Sequence, residues 1–335
     1  MKIAFFFAGQ GSQRVGMGKD LYEKYPLFRQ VYDSLLAGSE LKDLSFEGPE
    51  ERLSQTRYTQ PCLVAFAAGV NALLRQAGVR PSLAAGLSLG EYSALMAAGA
   101  LTPAQAVELA AFRGQAMEEA AAGVESAMIA ILGLERDKLE DACRQAMAES
   151  AGDAPPEPGE KPEEIPEISR RAFAGIVNYN CPGQLVISGH RQAAERAAEL
   201  ALAGGAKRAV PLKVSGPFHT PLMEPAAEAL AGRFAKTQFR PLALPVIFNA
   251  TARPLGPGET IPGLLVRQVR SPVYLEDSIR YMAASGMEAA VEIGPGKAIA
   301  GFIRKTVKEI PVYSVEDAVS LEAALSRLKG ERHES

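Results

Sequence analysis

Short apolar runs of strand length recur along this chain between long segments of helical pattern: Lys2 to Ala8, Leu83 to Ser88, Val246 to Asn249, Ala289 to Ile293 and Val312 to Val315. Buried strands that alternate with helices build parallel sheets, so the pattern predicts an α/β fold. A well-marked helix starts at Thr102-Pro103-Ala104-Gln105, where Thr can cap, Pro suits the first turn and Gln completes a capping box; it is expected to run to about Ala122.

Between Glu125 and Val214 the order changes to strand (Met128 to Leu132), helix (Asp137 to Glu149), strand (Ala174 to Tyr179), strand (Gln184 to Ser188), helix (Gln192 to Ala203) and strand (Arg208 to Val214). That is β-α-β-β-α-β, a ferredoxin-like unit. The predicted organisation is a parallel-sheet, hydrolase-like large domain formed by 1–124 and 215–335, with a small ferredoxin-like domain inserted at 125–214. The Pro- and Glu-rich stretch Gly152 to Pro166 has too little apolar surface to fold and reads as a mobile excursion.

Composition narrows the function. The chain has 335 residues, 47% hydrophobic and 22% charged, which suits a globular protein of two structural units. A formal charge of -3 gives no general attraction to nucleic acid or anionic membrane. Cys62, Cys143 and Cys181 form neither an even-numbered framework nor a CxxC pair, so a disulfide scaffold and a zinc site are not expected and a reducing cytoplasm is. The first apolar run is too short for a signal peptide, and the later ones are interrupted by Asn71, Arg75 and Glu91 before membrane-spanning length.

The candidate chemistry centres on Gly86-Leu87-Ser88-Leu89-Gly90, a G-x-S-x-G turn between an apolar strand and a helical run. Glycines on both sides allow a sharp turn that projects the serine oxygen, with the following N–H groups facing a developing oxyanion. A serine hydroxyl needs a base, and the chain offers three histidines. His333 lies in a charged tail and His190 opens a helix of the inserted domain, where it can cap. His219, in the proline-bracketed segment Gly216-Pro217-Phe218-His219-Thr220-Pro221, is the candidate. Gly9-Gln10-Gly11 fails as a dinucleotide fingerprint because Arg14 occupies the third glycine position, and Gly294-Pro295-Gly296-Lys297 lacks the flanks of a P-loop.

Several blocks coincide in order and spacing: Phe7 to Gln13, Gly86 to Tyr92, Arg113-Gly114, Asn180 to Gly189, Gly216 to His219, and Gln268 with Ser271-Pro272-Val273. Together, over nearly the whole chain, they resemble the malonyl-CoA:acyl carrier protein transacylase family. The chain departs from that pattern at Leu87, where the family commonly has His, and at Ala8, where Pro is common.

The resemblance implies that Ser88 is acylated, that His219 is its base, and that the main-chain N–H groups of Gln10 and Leu89 form the oxyanion hole. It further implies that Arg113 grips the free malonyl carboxylate, although by itself Arg113 reads as a solvated helix residue. Gln268 would hold His219 through its backbone carbonyl, and Phe218 would crowd an α-methyl branch and so favour malonyl over methylmalonyl. Asn180 and Gln184 are candidates for the active-site rim, or else belong to a structural turn. Acyl carrier protein and CoA thioesters are the implied partners, with no metal or other cofactor. Lys297, Arg304, Lys305 and Lys308 are candidates for docking an acidic carrier protein, or else form a solvated charged face. A serine esterase or thioesterase, and a non-catalytic carrier-binding scaffold, are the alternatives.

Overall fold

The computed structural model describes residues 1–151, 172–213 and 216–330. The Gly152 to Pro166 excursion, the boundary at Val214-Ser215 and His333 lie outside the described residues. The strands are β1 (Ile3–Phe7), β2 (Leu83–Gly86), β3 (Ser126–Leu132), β4 (Ala174–Cys181), β5 (Gln184–His190), β6 (Arg208–Pro211), β7 (Val246–Ile247), β8 (Val273–Tyr274), β9 (Ala289–Ile293) and β10 (Val312–Val315).

Five of them form a wholly parallel sheet in the order β10-β9-β1-β2-β7. The apolar runs are continuous because both faces are covered. Phe5, Phe7, Val291 and Ile293 enter one core, while Ala4, Phe6 and Ala290 enter another on the opposite face. The register sets Phe7 beside Gly86, so the chain leaves β1 and β2 at adjacent points. Those turns lie at the carboxyl edge of the sheet, where open α/β sheets bind ligands. The helix Pro103–Ala121 has the full capping box, with Thr102 and Gln105 exchanging hydrogen bonds.

The second sheet runs β6-β3-β5-β4-β8. Its first four strands are antiparallel and, with the helices Arg136–Ala151 and Arg191–Ala203, make the expected ferredoxin-like unit. The fifth was not foreseen. β8 follows the chain's return to the large sheet's side, yet pairs parallel to β4, with Tyr274 stacked on Tyr179 at 4.9 Å. At two residues it is too short to show a period. Arg136 reinforces the junction by pairing with Glu276 at 3.1 Å and with Asp277 at 3.1 Å.

His190 does not cap the helix it opens. Its side chain makes no capping bond, and its Nδ1 instead accepts the Phe173 N–H at 3.0 Å. Because His190 ends β5 in extended conformation opposite the start of β4, its ring faces the neighbouring strand rather than the helix.

Candidate active site

Ser88 occupies the turn between β2 and the helix Gly90–Ala97 and holds a left-handed backbone conformation, φ 51. That conformation is costly for a residue with a Cβ and persists only where the surroundings enforce it. The flanking glycines give clearance. A Cβ on Gly86 would overlap the Gly90 carbonyl group, and one on Gly90 would overlap the Phe7 carbonyl. The same crowding at Gly9, whose Cβ would strike the Leu87 carbonyl, brings the turn after β1 against the turn after β2.

His219 Nε2 lies 2.7 Å from Ser88 Oγ, and its Nδ1 lies 2.8 Å from the carbonyl oxygen of Gln268. A carbonyl only accepts, so Nδ1 carries the proton and Nε2 is free to accept from the serine hydroxyl. Gln268 sits in the last turn of the helix Ile261–Val269, where carbonyls have no intrahelical partner. His219 also has a positive φ, 63, within a turn tied by Thr220, whose hydroxyl donates to the Pro217 carbonyl at 2.6 Å.

Burial, and secondarily the charge of Arg113, push the His219 imidazole down to about 4, with backbone bonds to Gln268 and Ser271 opposing. It is therefore a neutral base throughout the neutral range, and only stronger acid removes it. Acylation is expected to lose its base on a limb near pH 4, not at the 6.5 of an ordinary histidine. A pH–rate profile checks this. An inflection near 7 would belong to Glu91, whose carboxyl burial pushes up to about 7, and Glu91→Gln should remove that inflection while the limb near 4 stays.

Arg113 is not a solvated helix residue: it is 1% exposed. Its helix packs this face inward, and the guanidinium lies over the Tyr92 ring, 5.7 Å from the centroid. Nη2 donates to Ser88 Oγ at 3.0 Å and to Gln268 Oε1 at 3.1 Å, while Nε is buried without a partner. Among the described residues no carboxylate pairs with it. Burial holds its pKa below the usual guanidinium range, with Tyr92 and Glu91 pulling the other way. A buried, unneutralised cation beside a nucleophilic oxygen is a place for an anionic substituent on the acyl group.

The side chain of Gln268 is a link that sequence reasoning missed. Besides accepting from Arg113, its Nε2 donates to the Ser88 carbonyl at 2.8 Å, so one residue touches nucleophile, base and cation. Asn249 and Glu91 were missed as well. One signal for Asn249 was available, since it follows an apolar run at the carboxyl end of a parallel strand.

The main-chain N–H groups of Gln10 and Leu89 have no protein acceptor among the described residues. Leu89 caps the start of a helix, where N–H groups are free and the dipole is positive. The Gln10 side chain donates to Thr56 Oγ1 at 2.9 Å, fixing the turn that carries its N–H. Gln10 lines a cavity of about 830 Å³ together with Leu87, Ser88, Arg113, Phe218, His219 and Asn180, whereas Leu89 is buried behind the serine turn. Gln184 is outside the cavity and instead accepts from Lys305 at 3.4 Å. Lys297 pairs with Glu316 at 3.2 Å, while Arg304 and Lys305 are exposed on the last turn of Ala298–Thr306. No group of side chains able to hold a metal ion occurs among the described residues.

The family model for the acyl transferase domain matches residues 4–151. The malonyl CoA-acyl carrier protein transacylase of Bacillus subtilis is 40% identical over 332 residues, covering 98% of each chain. The crystal structure of the Streptococcus pneumoniae enzyme superposes with a TM-score of 0.86 at 41% identity, covering 97% of this chain and 100% of that one. A malonyl-transacylase solved in complex with a type II polyketide synthase acyl-carrier protein gives a TM-score of 0.87 at 35% identity, covering 98% of this chain and 100% of that one. Likeness at this level, spanning both sheets and the serine turn between them, means that the chain belongs to the malonyl CoA-acyl carrier protein transacylase family.

Proposed function

We propose that this protein transfers malonyl from malonyl-CoA to the phosphopantetheine thiol of acyl carrier protein, through an ester on Ser88, for fatty acid or polyketide synthesis. Ser88 Oγ attacks the thioester carbonyl as its proton passes to His219 Nε2. The oxyanion receives hydrogen bonds from the N–H groups of Gln10 and Leu89. The C–S bond breaks, and the proton on His219 goes to the departing sulfur, leaving free CoA and malonyl-enzyme. In the second half the carrier thiol gives its proton to His219 and attacks the ester, and Ser88 Oγ recovers a proton as the malonyl thioester leaves.

The observation that carries this reading is Arg113, a fully buried cation within 3.0 Å of Ser88 Oγ and without a carboxylate partner among the described residues. The free carboxylate of malonyl supplies one, and Phe218, buried at the cavity wall, is the side chain to which we assign the discrimination against an α-methyl branch. A backbone carbonyl behind His219 orients the imidazole but stabilises imidazolium less than a carboxylate would, which suffices for activated thioesters. The protein supplies nucleophile, base and oxyanion donors itself, so the cycle we propose needs no cofactor. We place it in the cytoplasm on the strength of three buried, free cysteines. Among the described residues no helix is long and apolar enough to cross a membrane.

Intact-protein mass spectrometry after brief exposure to malonyl-, methylmalonyl- and acetyl-CoA tests the reading. A malonyl adduct that forms in preference and is discharged by carrier thiol much faster than by water is the expected result. Loss to water as fast as to thiol would point to a thioesterase, and no adduct at all to a binding scaffold.

A further inference from the structure

Every polar group of Asn249 is committed to the serine turn or to what holds it. Its Oδ1 accepts the Ser88 N–H at 2.7 Å, and its Nδ2 donates to the Gly86 carbonyl at 2.7 Å. Its own N–H donates to Glu91 Oε2 at 2.7 Å, and its carbonyl accepts from the Tyr274 N–H at 3.0 Å. The Ser88 N–H can only donate and the Gly86 carbonyl only accept, so a single orientation of the amide satisfies both. Glu91 is fully buried, and its second oxygen, Oε1, has no partner.

Sheet pairing between β2 and β7 ends at Ala85 and Ile247. Beyond that point β7 no longer pairs with the chain, and β1 holds it only as far as the Leu87 N–H, which donates to the Phe7 carbonyl at 3.0 Å; Ser88, which must adopt φ 51, is the next residue. The Asn249 side chain bridges the two ends of Gly86-Leu87-Ser88 in place of a strand, and Gln268 Nε2 holds the Ser88 carbonyl from the other side. A strained conformation needs this kind of over-determination.

We propose that Asn249, anchored through its backbone by the buried carboxyl of Glu91, is a positioning residue that holds Ser88 in its left-handed conformation and so sets the rate of acylation. It acts through Ser88, without touching the acyl group. The proposal rests on Ser88 being the nucleophile, and its test therefore pairs malonyl-CoA with phenylmethanesulfonyl fluoride, a small serine-directed electrophile that has no carboxylate for Arg113.

Asn249→Ala should lower the maximal single-turnover rate of malonylation about 30- to 100-fold, the scale on which misplacement of a reacting atom acts, with KM within about threefold of wild type. Sulfonylation of Ser88 should slow in parallel. Asn249→Asp has the same shape and keeps the acceptor for the Ser88 N–H but cannot donate to Gly86, so it should be slow in both assays too. Glu91→Ala, one step removed, should show a smaller loss in both. Wild-type sulfonylation in folded Asn249→Ala and Asn249→Asp, a loss confined to KM, or failure of all three variants to fold would each overturn the proposal. A wild-type enzyme that is sulfonylated at Ser88 but never malonylated would instead sink the transfer reading and leave the positioning role standing.

Discussion

Ser88→Ala is expected to abolish the malonyl adduct while leaving the fold intact, a loss on the order of a millionfold in the acylation rate. No neighbouring group can replace the ester-forming oxygen, because the other groups at the turn are a guanidinium, an imidazole and amides. The fold should survive for a specific reason. The bonds that fix the turn run through the Ser88 main chain, N–H to Asn249 and carbonyl to Gln268, and alanine keeps both. Alanine also has the same Cβ as serine, so the strain at φ 51 is unchanged. Intact mass after incubation with malonyl-CoA, together with the melting temperature, decides it. A persistent adduct at wild-type stoichiometry would place the acyl group elsewhere.

Arg113→Ala should shift preference as well as activity. Removing the guanidinium leaves a desolvated malonyl carboxylate without its partner, at a cost of about 2 to 5 kcal/mol for a buried charged pair. That corresponds to about 30-fold to several thousandfold in kcat/KM for malonyl-CoA. Acetyl-CoA has no carboxylate to lose and should be used as well as before or better. Arg113→Lys should recover part of the loss, since a point-charge ammonium cannot offer a carboxylate the planar two-nitrogen fork of a guanidinium. Comparing both thioesters on the three proteins, with melting temperatures to separate misfolding from lost selectivity, is the measurement. Equal loss for malonyl and acetyl in a folded alanine variant would make Arg113 structural.

The two sheets, the inserted ferredoxin-like unit, the capped helix at Thr102 and the serine turn were legible from the sequence because each is written in neighbouring residues. Apolar runs, a Thr-x-x-Gln box and glycines around a serine all act within a few positions of one another. His219 came within reach by elimination among three histidines. The resemblance to a family supplied the roles of Arg113, Gln10, Leu89 and Gln268, which no local pattern carried.

Tertiary structure alone decided the rest, because the contacts join positions far apart in the chain. Gln268 reaches Ser88 across 180 residues and Asn249 reaches it across 161. An amide side chain gives no periodicity or spacing to read, and its meaning depends on which donors and acceptors the fold sets before it. Arg113 looked solvated because a lone arginine on a helix usually is. It is buried because its helix packs this face against the serine turn, and the unneutralised charge that results is the ground on which we propose that the site takes an acid. β8 escaped notice for a related reason: two residues have no period, and only a partner strand from the inserted unit makes them a strand.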